Sequence, residues 1–130
     1  MKNDDFAKKV VLDTNSLIYS VKSHVDLLDQ VTYLLGRCEI IVPKCVIDEL
    51  RGLSTGNIDA KTALMMLQRF TVVESKGKGD LCVFNTALEI QAYVVTNDKN
   101  LAMKLHENGL RCMMFTARKM LTYWNFRSFR

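Results

Sequence analysis

Four carboxylates stand at points where this chain passes from one secondary-structure element to the next. Asp13 follows the apolar triplet at 10–12, and Asp98 ends a second apolar segment. Asp80 opens a helical segment after a glycine, and Glu49 lies inside another helical segment. An oxygen-only ligand set without histidine or cysteine suits the hard cations Mg²⁺ and Mn²⁺. The pattern therefore predicts a metal site whose chemistry would be water activation and charge neutralisation at a phosphate.

Five apolar segments alternate with helical ones and must position these acids. Strands are predicted over 8–13, 39–42, 70–73, 92–96 and 111–115. The helical pattern over 16–35 is interrupted near Ser23-His24, and a short last helix is predicted over 117–123. This alternation predicts an α/β fold, a three-layer α/β/α sandwich with a central, mainly parallel five-stranded sheet. With the first and fourth strands adjacent at its centre, Asp13 and Asp98 meet at the switch point of the strand order.

The composition is that of a globular protein. The chain has 130 residues, of which 48% are apolar and 25% charged, and we expect one domain over 1–130. The sequence has no apolar run long enough for a membrane span and no signal peptide, so the expected location is cytoplasmic, away from membranes. The net charge of +4 permits a polyanionic partner.

The cysteines do not indicate a metal site. Cys38, Cys45, Cys82 and Cys112 form no CxxC pair, and the chain has two histidines. A zinc site of cysteine and histidine is therefore not expected. In an intracellular chain the four thiols are expected to be reduced and mostly buried.

Each acid also has a purely structural interpretation. Asp80 and Asp98 could each serve only as a helix N-cap, and Glu49 could be a solvated helix residue. Asp13 is harder to assign in this way, because it directly follows a buried strand. The convergence of all four at one edge of the sheet favours the metal site.

Four segments resemble the motifs of PIN-domain nucleases. They are VLDTN at 11–15, VPKCVIDEL at 42–50, GD at 79–80 and TNDKNL at 96–101. The resemblance spans residues 10 to about 115, and its first and last motifs are the more specific. It implies a metal-dependent ribonuclease with an α/β/α sandwich.

The resemblance also implies roles for individual residues. Asp13, Glu49, Asp80 and Asp98 would hold the metals, and Thr14 or Asn15 would orient these ligands. Asn100 stands where many relatives carry a further acid. Its carbonyl can still bind a metal, with less charge, which predicts weaker binding of a second ion.

Basic residues near the four acids are candidate RNA contacts. They are Lys76, Lys78, Lys99, Lys104, Arg118 and Lys119. The aromatic tail, Tyr123, Trp124 and Phe126 with Arg127 and Arg130, has three interpretations. It could stack RNA bases or form a dimer contact, but folding back onto the core is favoured.

The biological role has two interpretations. Toxin nucleases of toxin–antitoxin pairs share the implied fold, as do single-domain archaeal relatives of nucleases that cleave ribosomal RNA precursors. The expected partners are RNA together with an antitoxin or a ribosome-assembly partner, and a homodimer is compatible with both roles. Two alternatives to a nuclease remain. One is a catalytically weak PIN-like module that binds RNA or protein; the other is a phosphoryl-accepting receiver-like module, although the last strand lacks the expected terminal lysine.

Overall fold

Six strands form one sheet in the computed structural model, which describes residues 8–126. The strands are β1 Lys8–Leu12, β2 Cys38–Pro43, β3 Thr71–Val73, β4 Tyr93–Val95, β5 Cys112–Phe115 and β6 Leu121–Tyr123. Their order is β3-β2-β1-β4-β5-β6. The first five strands are parallel, and β6 runs antiparallel to β5. The predicted central pairing of the first and fourth strands is confirmed.

Six helices lie between the strands in the described part of the chain. They are α1 Thr14–Lys22, α2 Leu27–Leu35, α3 Lys44–Leu53, α4 Ile58–Met66, α5 Gly79–Ile90 and α6 Lys99–Glu107. A short 3-10 turn at Leu67–Arg69 directly follows α4. The predicted α/β sandwich is confirmed, and so is the break between α1 and α2. His24 has a positive φ of 57° there, and Asp26 begins α2 by accepting a hydrogen bond from the Asp29 N–H at 3.0 Å. Within residues 8–126, no helix has the length and apolar character needed to cross a membrane.

Strand β1 lies at the centre of the core. Val10, Val11 and Leu12 are fully buried, as expected for a parallel strand covered on both faces. Val10 pairs with Ile40 of β2 on one side and with Tyr93 of β4 on the other. The end of β1 is therefore fixed by packing on both faces and by hydrogen bonds on both edges. The backbone of the next residue, Asp13, is fixed with it.

The prediction of a last helix over 117–123, and with it of a five-stranded sheet, is wrong. The Thr116 N–H donates to Met120 O at 2.8 Å, and the Lys119 N–H donates to Thr116 O at 3.0 Å. This tight turn lets Leu121 pair with Phe115. Leu121 is buried and the next residue is exposed, which is the alternation of a strand. The edge of β5 therefore decides the conformation of a segment whose own residues favour a helix.

A disulfide joins Cys45 of α3 to Cys82 of α5, with their Cα atoms 6.6 Å apart. The expectation of four reduced thiols is wrong for this pair, because the two helices pack side by side and bring together residues separated by 37 positions. Cys38 and Cys112 are free. Burial raises the pKa of the Cys112 thiol to about 12, so this thiol remains protonated and unreactive at neutral pH.

Candidate metal and RNA site

Asp13 lies at the junction of β1 and α1, where it is only 7% exposed. Its Oδ1 accepts a hydrogen bond from the Ser16 N–H at 2.8 Å and thereby caps α1. Burial raises the pKa of Asp13 most, and the nearby charge of Asp98 adds to that rise. Hydrogen bonds from Ser16 and Thr96 lower this pKa in part. Asp13 is thus a buried acid whose negative charge is only partly compensated by the protein.

Asp98 approaches Asp13 because their strands are neighbours. Leu12 pairs with Val95, and the Asp13 N–H donates to Val95 O at 3.4 Å. Asp98 follows three residues later and caps α6, with its Oδ1 accepting from the Leu101 N–H at 3.0 Å. The carboxyl ends of β1 and β4 therefore deliver two acids to one edge of the sheet, as parallel strands do at a switch point.

Asp80 lies in the first turn of α5, and its pKa is raised. The causes, largest first, are desolvation, the charge of Asp98 and hydrogen bonding to Asp98, then the charges of Asp13 and Glu49. Every one of these causes raises the pKa, and none is a neighbouring cation. Repulsion between carboxylates falls with distance, so Asp80 lies within electrostatic reach of the other three acids.

Glu49 is exposed on α3 and lines a cavity of about 130 Å³ together with Asp13 and Asp80. Asp13 and Asp98 line a second cavity of about 370 Å³. Asp13 and Asn15 belong to both cavities. The predicted acids thus surround a bipartite cleft, with Glu49 and Asp80 in one half, Asp98 in the other and Asp13 between them.

The chemistry of these residues fits a hard divalent cation, since four carboxylates offer oxygen ligands and mutual repulsion that a cation would relieve. In this structure the four carboxylates lie too far apart to surround one ion. Within residues 8–126, no three acidic, histidine or cysteine side chains converge closely enough to hold one ion together. Metal binding at this site would therefore draw the carboxylates inward.

The residues predicted to orient the acids differ in position. Thr14 is buried and lines the smaller cavity, and Asn15 is exposed and lines both. Asn100 is exposed in the first turn of α6 and lines neither cavity. Nothing in the geometry singles Asn100 out as a neighbour of the four acids.

Ser16 and Thr96 support Asp13 but were not among the predicted site residues. Thr96 is completely buried, and its hydroxyl accepts from the Asp98 N–H at 3.0 Å. It also hydrogen-bonds Asp13, so it contacts both strand-end acids. The Ser16 hydroxyl donates to Val95 O at 3.1 Å. The sequence does offer a signal for Thr96, because its hydroxyl directly follows a buried strand and stands two residues before an acid.

The six candidate RNA contacts, Lys76, Lys78, Lys99, Lys104, Arg118 and Lys119, are all exposed. Lys78 stands two residues before Asp80, and Lys99 directly follows Asp98. Arg118 and Lys119 lie in the turn before β6. The Lys104 Nζ lies 4.3 Å from the centroid of the Phe84 ring. This cation–π contact holds the Lys104 ammonium against the protein.

The loop before Asp80 is anchored at two adjacent residues, Ser75 and Lys76. The Ser75 hydroxyl accepts a hydrogen bond from the Cys45 N–H at 3.2 Å. The Asn85 side-chain amide donates to Lys76 O, also at 3.2 Å. These bonds tie the loop to α3 and α5, so the exposed lysines extend from an anchored backbone next to the cleft.

The aromatic tail folds back onto the protein, as favoured from the sequence, although Arg127 and Arg130 lie outside the described residues. The Trp124 indole N–H donates to Thr96 O at 2.9 Å. Phe126 stacks on His106 with 4.1 Å between ring centroids. Tyr123, Trp124 and Phe126 are all partly buried against the core. The Trp124 indole therefore contacts the end of β4.

Comparison with known proteins agrees with this architecture. Residues 10–118 match the family model described as a PIN-like domain. Ribonuclease VapC9 from Archaeoglobus fulgidus is 30% identical over 105 residues, which cover 77% of each chain.

Solved structures share the fold at lower identity. The PIN domain endonuclease Utp24 has a TM-score of 0.75 and 24% identity, covering 88% of this chain and 90% of that one. VapBC2 from Rickettsia felis, solved with a DNA fragment from its promoter, has a TM-score of 0.59 and 20% identity, covering 82% and 98%. A domain of a functionally unknown protein from Methanocaldococcus jannaschii has a TM-score of 0.65 and 19% identity, covering 85% and 93%.

Proposed function

The chain belongs to the PIN-like domain family, and we propose that it is a divalent-metal-dependent endoribonuclease that hydrolyses RNA phosphodiester bonds. The observation that carries this proposal is the convergence of Asp13, Glu49, Asp80 and Asp98 on one cleft at the edge of the sheet, where the charges of the other three acids raise the pKa of Asp80. Acids that repel one another at the edge of a parallel sheet are stabilised by a bound cation. The ribonuclease named among the relatives supports the choice of RNA as substrate.

Asp13, Glu49, Asp80 and Asp98 would hold Mg²⁺ or Mn²⁺. Such ions, when bound, activate water and neutralise charge on a phosphate. The protein's own contribution is to position the ligands. Asp13 cannot turn away easily, because its carboxylate is buried and bonded to Ser16 and Thr96. Asp80 and Glu49, on the exposed side, have freedom to close on an ion.

Attack by water, rather than by the ribose 2′-oxygen, predicts products with 5′-phosphate and 3′-hydroxyl ends. Lys76 and Lys78, in the anchored loop beside Asp80, would attract the RNA backbone towards the cleft. Lys99 would do the same beside Asp98. Long-range attraction of this kind increases the rate of encounter and weakens as salt is raised.

The cellular role divides between RNA processing, with a ribosome-assembly partner, and toxin activity, with an antitoxin. Sequencing the RNA ends in cells that express the wild type or Asp13→Asn distinguishes them. Ends confined to ribosomal RNA precursors would indicate processing, whereas ends in messenger or transfer RNA together with growth arrest would indicate a toxin. A homodimer is compatible with both roles and is measured by light scattering.

An alternative is a catalytically weak PIN-like module that binds RNA or a partner protein. This alternative is supported by the open arrangement of the carboxylates within residues 8–126 and by the amide at Asn100. It predicts RNA binding that metal does not convert into cleavage.

The test is cleavage of end-labelled single-stranded RNA with Mn²⁺, with Mg²⁺ and with chelator. We expect cleavage only with a metal ion. Glu49→Gln should lose most of the activity, whereas its neighbour Asp48→Asn should keep it, because Asp48 is exposed and lines neither cavity. Equal rates in chelator, or products with a 2′,3′-cyclic phosphate, would overturn the metal mechanism.

A further inference from the structure

We propose that the larger half of the cleft binds one nucleobase of the RNA strand, next to the phosphate that is cut, and that the base stacks on Tyr19. This inference rests on the proposed function and adds a base-recognition site to it. The cavity of about 370 Å³ contains the aromatic residues Tyr19 and Phe115 beside the acids Asp13 and Asp98. The smaller half of the cleft has no aromatic side chain in its lining.

The aromatic wall is rigid. Phe115 is 3% exposed, and its ring centroid lies 4.9 Å from that of Tyr19, with 34° between the planes. The side chain of Asn97 holds Phe115 in place at both backbone groups. It accepts from the Phe115 N–H at 2.8 Å and donates to Phe115 O at 3.0 Å. Phe115 therefore fixes Tyr19, which is half-buried and lines the cavity.

Two polar groups beside this wall have hydrogen-bonding capacity to spare. Within residues 8–126, neither the Tyr19 hydroxyl nor the Asn15 side-chain amide makes a hydrogen bond. An amide offers both donors and an acceptor, which is what the edge of an unpaired base requires. Asn97, by contrast, already uses its side-chain oxygen and one N–H to bond Phe115.

The lining of the cavity offers two kinds of contact. Asp13 and Asp98 line it together with Tyr19 and Phe115, so a phosphate would need the metal ion that the two acids would hold, whereas a neutral base needs only the aromatic side chains. Its volume is near the lower end of those that bind small ligands, which suits one base and not a stack of several. Aromatic stacking on an unpaired base is how proteins commonly bind single-stranded RNA.

The experiment uses the protein with Mn²⁺ and a short single-stranded RNA, in which an abasic nucleotide replaces each nucleotide in turn. If the RNA is cleaved, the cut is mapped to identify the two flanking nucleotides. Loss of a stacked base weakens binding by about 5- to 150-fold. In the wild type, we expect a loss of this size in both equilibrium binding and kcat/KM at one flanking position.

Tyr19→Leu removes the ring and keeps an apolar side chain. It should lower binding of intact RNA by a similar factor, and it should abolish the extra penalty of the abasic position, since two changes to one contact are not additive. Tyr19→Phe retains the ring and should preserve that penalty. Tyr33→Leu is the matched control, because Tyr33 is 86% exposed on α2 and should behave as wild type.

The outcomes separate this inference from the proposed function. If the RNA is cleaved, and Tyr19→Leu and the abasic position weaken binding independently and additively, the base site is refuted and the proposed nuclease function stands. Coupled losses in binding without any cleavage would support the base site and refute the nuclease. Failure to bind or cleave RNA would refute both. Melting curves that match wild type would exclude misfolding of Tyr19→Leu.

Discussion

Replacing Asp13 by asparagine tests whether this buried acid is a metal ligand. Asparagine is nearly isosteric and caps helices as well as aspartate does, so the bond from the Ser16 N–H at 2.8 Å should survive. The substitution removes the charge whose burial raises the pKa of Asp13 above 3.8. In chelator, the variant should therefore be as stable as wild type or more stable.

The pH dependence of that difference has a definite sign. A carboxyl with a raised pKa in the folded state binds more protons when folded than when unfolded, so its contribution to stability falls as pH rises between the two pKa values. For Asp13 this window begins near the unfolded value of 3.8 and extends upward to the raised folded pKa. The advantage of Asp13→Asn in chelator should grow through this window and then stay constant.

Metal should reverse the ranking of the two proteins. At a Mn²⁺ concentration of about 100 times Kd, binding stabilises a protein by about 2.7 kcal/mol. For a domain of 130 residues, this corresponds to a rise in Tm of about 10 °C. Removal of a ligand that weakens the metal by about 100-fold or more leaves at most about 0.4 kcal/mol, or a rise of 1 to 2 °C.

The assay is a set of thermal melts of both proteins in chelator and in Mn²⁺. Asp26→Asn is the matched control, because Asp26 caps α2 in the same way at an exposed position and should keep the full metal shift. If Asp13 served only the helix cap and the core, loss of its charge would cost about 1–3 kcal/mol. A variant that melts several degrees below wild type in chelator, and still gains the full shift from Mn²⁺, would refute the assignment.

Two further perturbations address the elements around the cleft. Lys76→Glu with Lys78→Glu should weaken RNA binding and reduce the slope of log K against log salt by about 1.4; an unchanged slope over a salt series would mean that the loop does not contact RNA. Cys82→Ser should lower the free energy of unfolding by about 2–4 kcal/mol in urea, because the Cys45–Cys82 bond closes a loop of 37 residues. Cys38→Ser, which alters a free thiol, should change it far less, and equal losses would contradict a stabilising role of the disulfide.

The features that could be predicted from the sequence are those with a local cause. The run at 10–12 is apolar without interruption, which indicates a strand buried on both faces, and the structure makes it the central strand. The positions of Asp13 and Asp98 followed from this and from the rule for parallel sheets. Their proximity required no knowledge of side-chain detail.

The features that the sequence did not predict depend on contacts between distant segments. Cys45 and Cys82 lie 37 residues apart, and nothing in their spacing distinguishes them from two buried thiols. Strand β6 forms because β5 offers an edge for pairing, a tertiary effect that overrides helix propensity. The aromatic wall of the cleft also depends on distant segments, because it forms where Tyr19 of α1 meets Phe115 of β5.

The caps show why structural and functional interpretations of an acid need not exclude each other. Asp13 and Asp98 each cap a helix through Oδ1, and a carboxylate has further lone pairs with which it can bind a cation. The cap fixes the direction of the carboxylate, and a fixed carboxylate loses less conformational entropy when it binds a metal. Alanine at either position would remove both roles at once and cost about 1 kcal/mol through the cap alone. Asparagine keeps the cap and removes the charge, so the difference between wild type and the asparagine variant measures what the charge contributes, and the difference between the asparagine and alanine variants measures what the cap contributes.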